Sequence, residues 1–124
     1  MKLENEKSKN TFIYALIGIK KAIKSEKNVK IDLIAAILVI IFGIFLKINI
    51  FEWIICIALI GIVLSAEMMN TAIEATVDLV TREKHPLAAK AKDVAAGAVL
   101  VVALTSAVIG GIVFIPKILN LVNI

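Results

Sequence analysis

The chain has 124 residues, 60% of them hydrophobic, and a formal net charge of +4 at pH 7; its mean hydropathy is +0.98. Soluble domains are nearer half apolar, so these values exclude an ordinary soluble domain and predict one small integral membrane domain. Aromatic residues make up only 6% and the basic residues flank apolar runs, which points away from nucleic acid and toward anionic lipid headgroups as the partner.

Residues 1–10 are mostly polar, and the first long apolar run is not followed by a small-residue cleavage site, so no secretory signal is expected. From about 9 to 24 the pattern is amphipathic. Phe12, Ala15, Leu16, Ile19, Ala22 and Ile23 share one helical face, while Tyr14, Gly18, Lys21 and Ser25 lie opposite. This predicts a helix lying in the membrane surface, apolar face down. Residues 25–30 are polar and predict a hinge. Residues 31–46 are apolar apart from Asp32 and predict a first transmembrane helix over about 28–46, with Glu26 and Asp32 near its entrance.

Residues 47–49 predict a tight turn, and Trp53 suits an interfacial anchor. A second helix is predicted over about 50–81, longer than a bilayer needs, so its last turns project into water. Cys56, the single cysteine, lies in an apolar run and can form no intrachain disulfide. Residues 82–86 are the next clear break, with Pro86 suited to the first turn of a new helix. Alanines and Gly97 between residues 88 and 98 allow close helix packing. A third span is predicted over about 87–115.

Residues 1–30 hold eight of the 14 lysines and arginines and residues 82–92 hold four, against Lys47 and Lys117 elsewhere. The positive-inside rule then predicts a multi-pass membrane protein with its N-terminus and the 82–92 loop in the cytoplasm and its C-terminus outside.

The chemistry concentrates at residues 67–78. At about 100° per residue, Glu67, Asn70, Glu74 and Asp78 fall on one stripe of a helix. If that helix enters lipid near Trp53, a rise of about 1.5 Å per residue puts Glu67 about 21 Å deep and Glu74 about 31 Å deep. The hydrocarbon core is about 30 Å thick. Glu67 is then expected just inside the far boundary, where a carboxylate costs roughly 2.5–3.5 kcal/mol and usually faces protein or water. Depth and charge bias together gather Glu26, Glu67, Glu74, Asp78 and Asp93 at the cytoplasmic boundary.

Such a cluster suits a divalent metal with a polyphosphate, since Mg2+ takes a few carboxylates and keeps phosphate oxygens or water as its other ligands. Glu26 and Glu74 are the candidate metal ligands, Lys92 a phosphate neutraliser and Glu67 a general base. The same carboxylates serve equally as a proton- or ion-conducting path. Lys92 and Asp93 also read as a salt-bridged helix start, and His85 as a loop residue. Zinc is disfavoured, because the lone His and lone Cys are far apart. No G-x-x-x-x-G-K-[ST] phosphate loop is present, so side chains must hold any nucleotide.

The string Glu67-x-x-Asn70-x-Ala72-Ile73-Glu74-x-x-x-Asp78, then His85, then Ala91-Lys92-Asp93 and Ala98-Val99-Leu100, resembles the prokaryotic diacylglycerol kinase / undecaprenol kinase family. The wording of residues 81–88 is similar to the Gram-positive undecaprenol kinase branch. The resemblance covers nearly the whole chain. It implies an all-α membrane protein: an amphipathic surface helix and three transmembrane helices in a homotrimeric bundle. It implies an ATP- and Mg2+-dependent lipid kinase whose acceptor is a membrane alcohol, undecaprenol or alternatively diacylglycerol. Glu67 would be the catalytic base, and Glu26 and Glu74 would hold the magnesium. Asn70 would orient the lipid hydroxyl or Glu67. Tyr14, Glu83, Lys84, His85, Lys92 and Asp93 would contact the nucleotide. Lys7 stands where the family often has an arginine, without the arginine's bidentate fork.

Overall fold

The computed structural model describes residues 10–123. Lys7 lies outside the described residues. Four helices follow in order: α1, Thr11–Ser25; α2, Lys27–Phe45; α3, Ile50–Val80; and α4, Pro86–Asn123. The described residues contain no strand. α2, α3 and α4 are each long and apolar enough to cross a membrane. They turn large apolar side chains outward, among them Ile44, Ile57, Leu104 and Ile112. That is how a lipid-facing bundle is built, since its surroundings are as apolar as its core.

The corner between α1 and α2 is one residue wide. Glu26 is extended (φ −111, ψ 116) and caps both helices. Its N–H still donates to Ala22 O at 3.0 Å, and Ser25 Oγ donates to Lys21 O at 2.8 Å. The hinge expected over residues 25–30 is therefore contracted to Glu26, because residues 27–30 already form the first turn of α2. Lys30 N–H donates to Glu26 O. Beside the corner Ala22 and Val29 are buried, and Val29 is 2% exposed. α1 is otherwise exposed along its first ten residues.

At the opposite end, α2 and α3 meet in a turn that puts Lys47 in left-handed backbone, φ 53. Ile48 N–H returns to Gly43 O at 3.1 Å. Gly43 is needed there: a Cβ would lie 2.8 Å from Trp53 Cη2 and 3.1 Å from Ile48 Cδ1. α3 opens with a capping box in which Asn49 and Glu52 exchange backbone-to-side-chain hydrogen bonds, both 2.9 Å. Glu52 also pairs with Lys117 Nζ at 2.9 Å, tying α3 to α4. Ile48, Cys56 and Val113 form the buried cluster there, with Trp53 and Phe114 against it.

α3 has 31 residues and α4 has 38, about 47 and 57 Å of helix. Both exceed the roughly 30 Å of hydrocarbon, so their ends project. α4 runs eight residues past the boundary expected at 115, and Pro116 lies inside it. Proline removes one N–H and rarely sits inside a helix, but here the backbone on both sides stays helical. At the other end, Pro86 opens α4 and His85 Nδ1 accepts the N–H of Leu87 at 3.1 Å.

Candidate active site

α3 carries the polar stripe with its spacing intact. Glu67 is 4% exposed and Asn70 8% exposed, the two buried polar residues among those described. Glu74 and Asp78, one and two turns on, are half-buried. Asn70 Nδ2 donates to Glu74 Oε1 at 3.3 Å, which links two members of the stripe. Asn70 Oδ1 is buried and has no partner among the described residues. An amide oxygen without a donor is costly in a dry setting.

α2 reaches the stripe from the side. Asn28 Nδ2 donates to Glu67 Oε1 at 3.4 Å. The charges of Asp32, Glu74 and Glu26 act on Glu67. Glu26 caps α2 two residues before Asn28, so the Asn28–Glu67 contact carries the α1–α2 corner toward the stripe that holds Glu67 and Glu74. Among the described residues, no group of three His, Cys, Asp or Glu side chains converges tightly enough to hold a metal by itself. A pair remains sufficient for Mg2+, which takes one or two carboxylates and completes its shell with phosphate oxygens and water.

α4 adds the cation. Lys92 Nζ lies 2.6 Å from Asp78 Oδ1, with both side chains about two-fifths exposed. The helix-start pairing of Lys92 with Asp93 gives way to this contact across the bundle, because Asp78 on α3 faces the first turns of α4. Asp93 is exposed. The loop between α3 and α4 borders a cavity of about 640 Å³ lined by Arg82, Glu83, Lys84, His85 and Lys92. Three of these are cationic at neutral pH, as a polyphosphate requires. Tyr14 sits exposed on α1.

Sequence reasoning missed three side chains. Arg82 lines the loop cavity; its place in a basic loop was the available signal. Asp32, placed by the sequence at the entrance of the first span without a role, is the lone charge in an apolar run. It lines a second cavity of about 230 Å³ between α2, α3 and α4, and its Oδ2 has no partner among the described residues. Asn28 carried no signal, since a polar residue in a first helical turn is ordinary.

The family model described as prokaryotic diacylglycerol kinase matches residues 13–114. The chain belongs to the prokaryotic diacylglycerol kinase family. It is 47% identical to the undecaprenol kinase of Bacillus subtilis (strain 168) over 107 residues, 86% of this chain and 87% of that one. It is 34% identical to the diacylglycerol kinase of Synechocystis sp., over 90% of this chain and 64% of the relative. With that of Haemophilus influenzae it shares 32% identity, over 85% and 90%. As a prokaryotic diacylglycerol kinase family member, the chain is a membrane lipid kinase. Both the stripe on α3 and the basic loop fall within the matched residues.

Proposed function

We propose that this lipid kinase transfers the γ-phosphoryl group of ATP to the primary hydroxyl of undecaprenol at the cytoplasmic face of the membrane. The observation that carries the reading is Glu67, 4% exposed, on a helix able to span a membrane and joined to Asn28. A carboxylate held there has the position and hydrogen-bonding capacity of a general base for an alcohol that cannot leave the bilayer.

In this reading Glu67 takes the hydroxyl proton as the lipid oxygen bonds to the γ-phosphorus. The bond from that phosphorus to the β–γ bridging oxygen breaks, and ADP leaves with the electron pair. Asn70, tied to Glu74 and one turn from Glu67, helps orient the lipid hydroxyl or Glu67, and the single hydroxyl proton stays directed at Glu67. Lys92, Arg82 and Lys84 neutralise the polyphosphate, with Glu83, His85, Asp93 and Tyr14 around the nucleotide. Glu26 and Glu74 are the residues that would hold Mg2+. Bound there, the ion would neutralise developing charge on the phosphoryl oxygens. Positioning supplies most of the rest.

Undecaprenol is favoured by 47% identity to an undecaprenol kinase against 34% and 32% to two diacylglycerol kinases. Diacylglycerol is the second reading, which those two relatives support. A cytoplasmic N-terminus follows from the charge bias, with α1 in the headgroup layer. A homotrimer would cover the outward apolar faces and enclose the half-exposed Glu74 and Asp78. The test is a competition assay: labelled ATP, undecaprenol and diacylglycerol in one micelle, and separation of the products. Label is expected mainly in undecaprenyl phosphate. Label mainly in phosphatidic acid would move the assignment to diacylglycerol, and label in neither would end the kinase reading for these lipids.

A further inference from the structure

The transfer just described assigns no part to Asn28, yet its amide reaches Glu67. Asn28 is the second residue of α2, 39 positions before Glu67 in sequence, and its Nδ2 is 3.4 Å from Glu67 Oε1. The next residue, Val29, is 2% exposed, so the backbone carrying the amide is pinned in the bundle. An ionised carboxylate only accepts hydrogen bonds, which fixes the amide with its nitrogen inward.

The charges of Asp32, Glu74 and Glu26 act on Glu67 and work against holding another carboxylate in one place. A lysine in place of Asn28 would hold Glu67 but would neutralise it and blunt it as a base. A neutral amide holds the carboxylate and leaves its charge intact. Tying one oxygen also removes most rotamer freedom from a flexible side chain, which matters because small misplacements of a reacting group cost about a hundredfold in rate.

We infer that Asn28 is a positioning residue: it anchors Oε1 of Glu67 so that Oε2 is presented to the acceptor hydroxyl. The inference rests on the reading of Glu67 as the base.

The test uses the full chain in micelles. In Asn28→Ala, kcat falls by about tenfold to a hundredfold while the KM for ATP stays unchanged. In Asn28→Asp, of nearly the same shape, the fall is larger because the donor becomes a charge facing a charge. Asn28→Gln, which keeps the amide, recovers part of the loss. Infrared difference spectra give a readout independent of turnover. The carboxylate band that disappears in Glu67→Gln shifts in Asn28→Ala. An unchanged kcat in Asn28→Ala, equal losses in the Ala and Asp variants, or an unmoved band would each overturn the assignment. An unsubstituted chain that phosphorylates no lipid would defeat the kinase reading instead, and the band would still decide the contact.

Discussion

At the scale of single residues, burial separates the acids of α3 into two kinds. Glu67 is 4% exposed and is held by a neutral amide. Asp78 is about two-fifths exposed and is paired with Lys92. An ion pair that open is worth roughly 0–1 kcal/mol, so Lys92 can leave Asp78 for a phosphate at little cost. Glu74 lies between them, tied to Asn70, with one oxygen in that bond and the other available to an ion. Removing its carboxylate is therefore expected to raise the Mg2+ requirement of Glu74→Ala about tenfold or more, or to abolish turnover. A Mg2+ titration of lipid phosphorylation checks this, and a curve superimposable on that of the parent chain would remove Glu74 from the metal's ligands. Much at this scale was legible in the sequence, because the spacing of Glu67, Asn70 and Glu74 fixes a face at helical period. What was not legible depends on a neighbouring helix. Asn28 and Asp32 meet the stripe only through the crossing of α2 with α3, and Lys92 chooses Asp78 over Asp93 only once α4 is in place.

At the scale of elements, turns rather than spans decide where the chemistry sits. Glu26 serves both α1 and α2, so the corner itself delivers a candidate metal ligand. The length of α3 lifts Glu74 and Asp78 toward the water while its start is fixed by the Asn49–Glu52 box. Helix identities were readable from hydropathy, since an apolar run of span length has few alternatives. The end of α4 was not, because Pro116 reads as a stop locally and yet the helix continues to Asn123. The α2–α3 turn depends on Gly43, where a Cβ would lie 2.8 Å from the Trp53 ring. Gly43→Val is expected to cost about 1–3 kcal/mol through overpacking. Gly18→Ala, with nothing within 4 Å of the added carbon, is expected to leave stability unchanged or slightly raised. Thermal unfolding in detergent checks the pair. Equal midpoints for both variants would show that the glycine–tryptophan contact does not set this turn.

At the scale of the molecule, the arrangement answers a problem of solubility. In the proposed reaction the acceptor alcohol is confined to lipid and the nucleotide to water, so that reading requires the acids and the basic loop to meet where the two phases do. α3 and α4 provide that boundary, with the buried Glu67 on the lipid side and the loop cavity around Arg82, Lys84 and Lys92 on the other. Outward apolar faces on the spans fit assembly with further copies. Native mass spectrometry from micelles is expected to show a species of three chains of 13.4 kDa each, and an active species of one chain would contradict the trimer. The central claim is that Glu67 accepts the proton of a membrane-held alcohol while a phosphoryl group arrives from the aqueous side. Turnover of labelled ATP with undecaprenol by Glu67→Gln, compared with the parent chain at matched thermal midpoint, tests it most directly. Loss of lipid labelling with the fold intact is the predicted result; near-normal labelling would contradict the account.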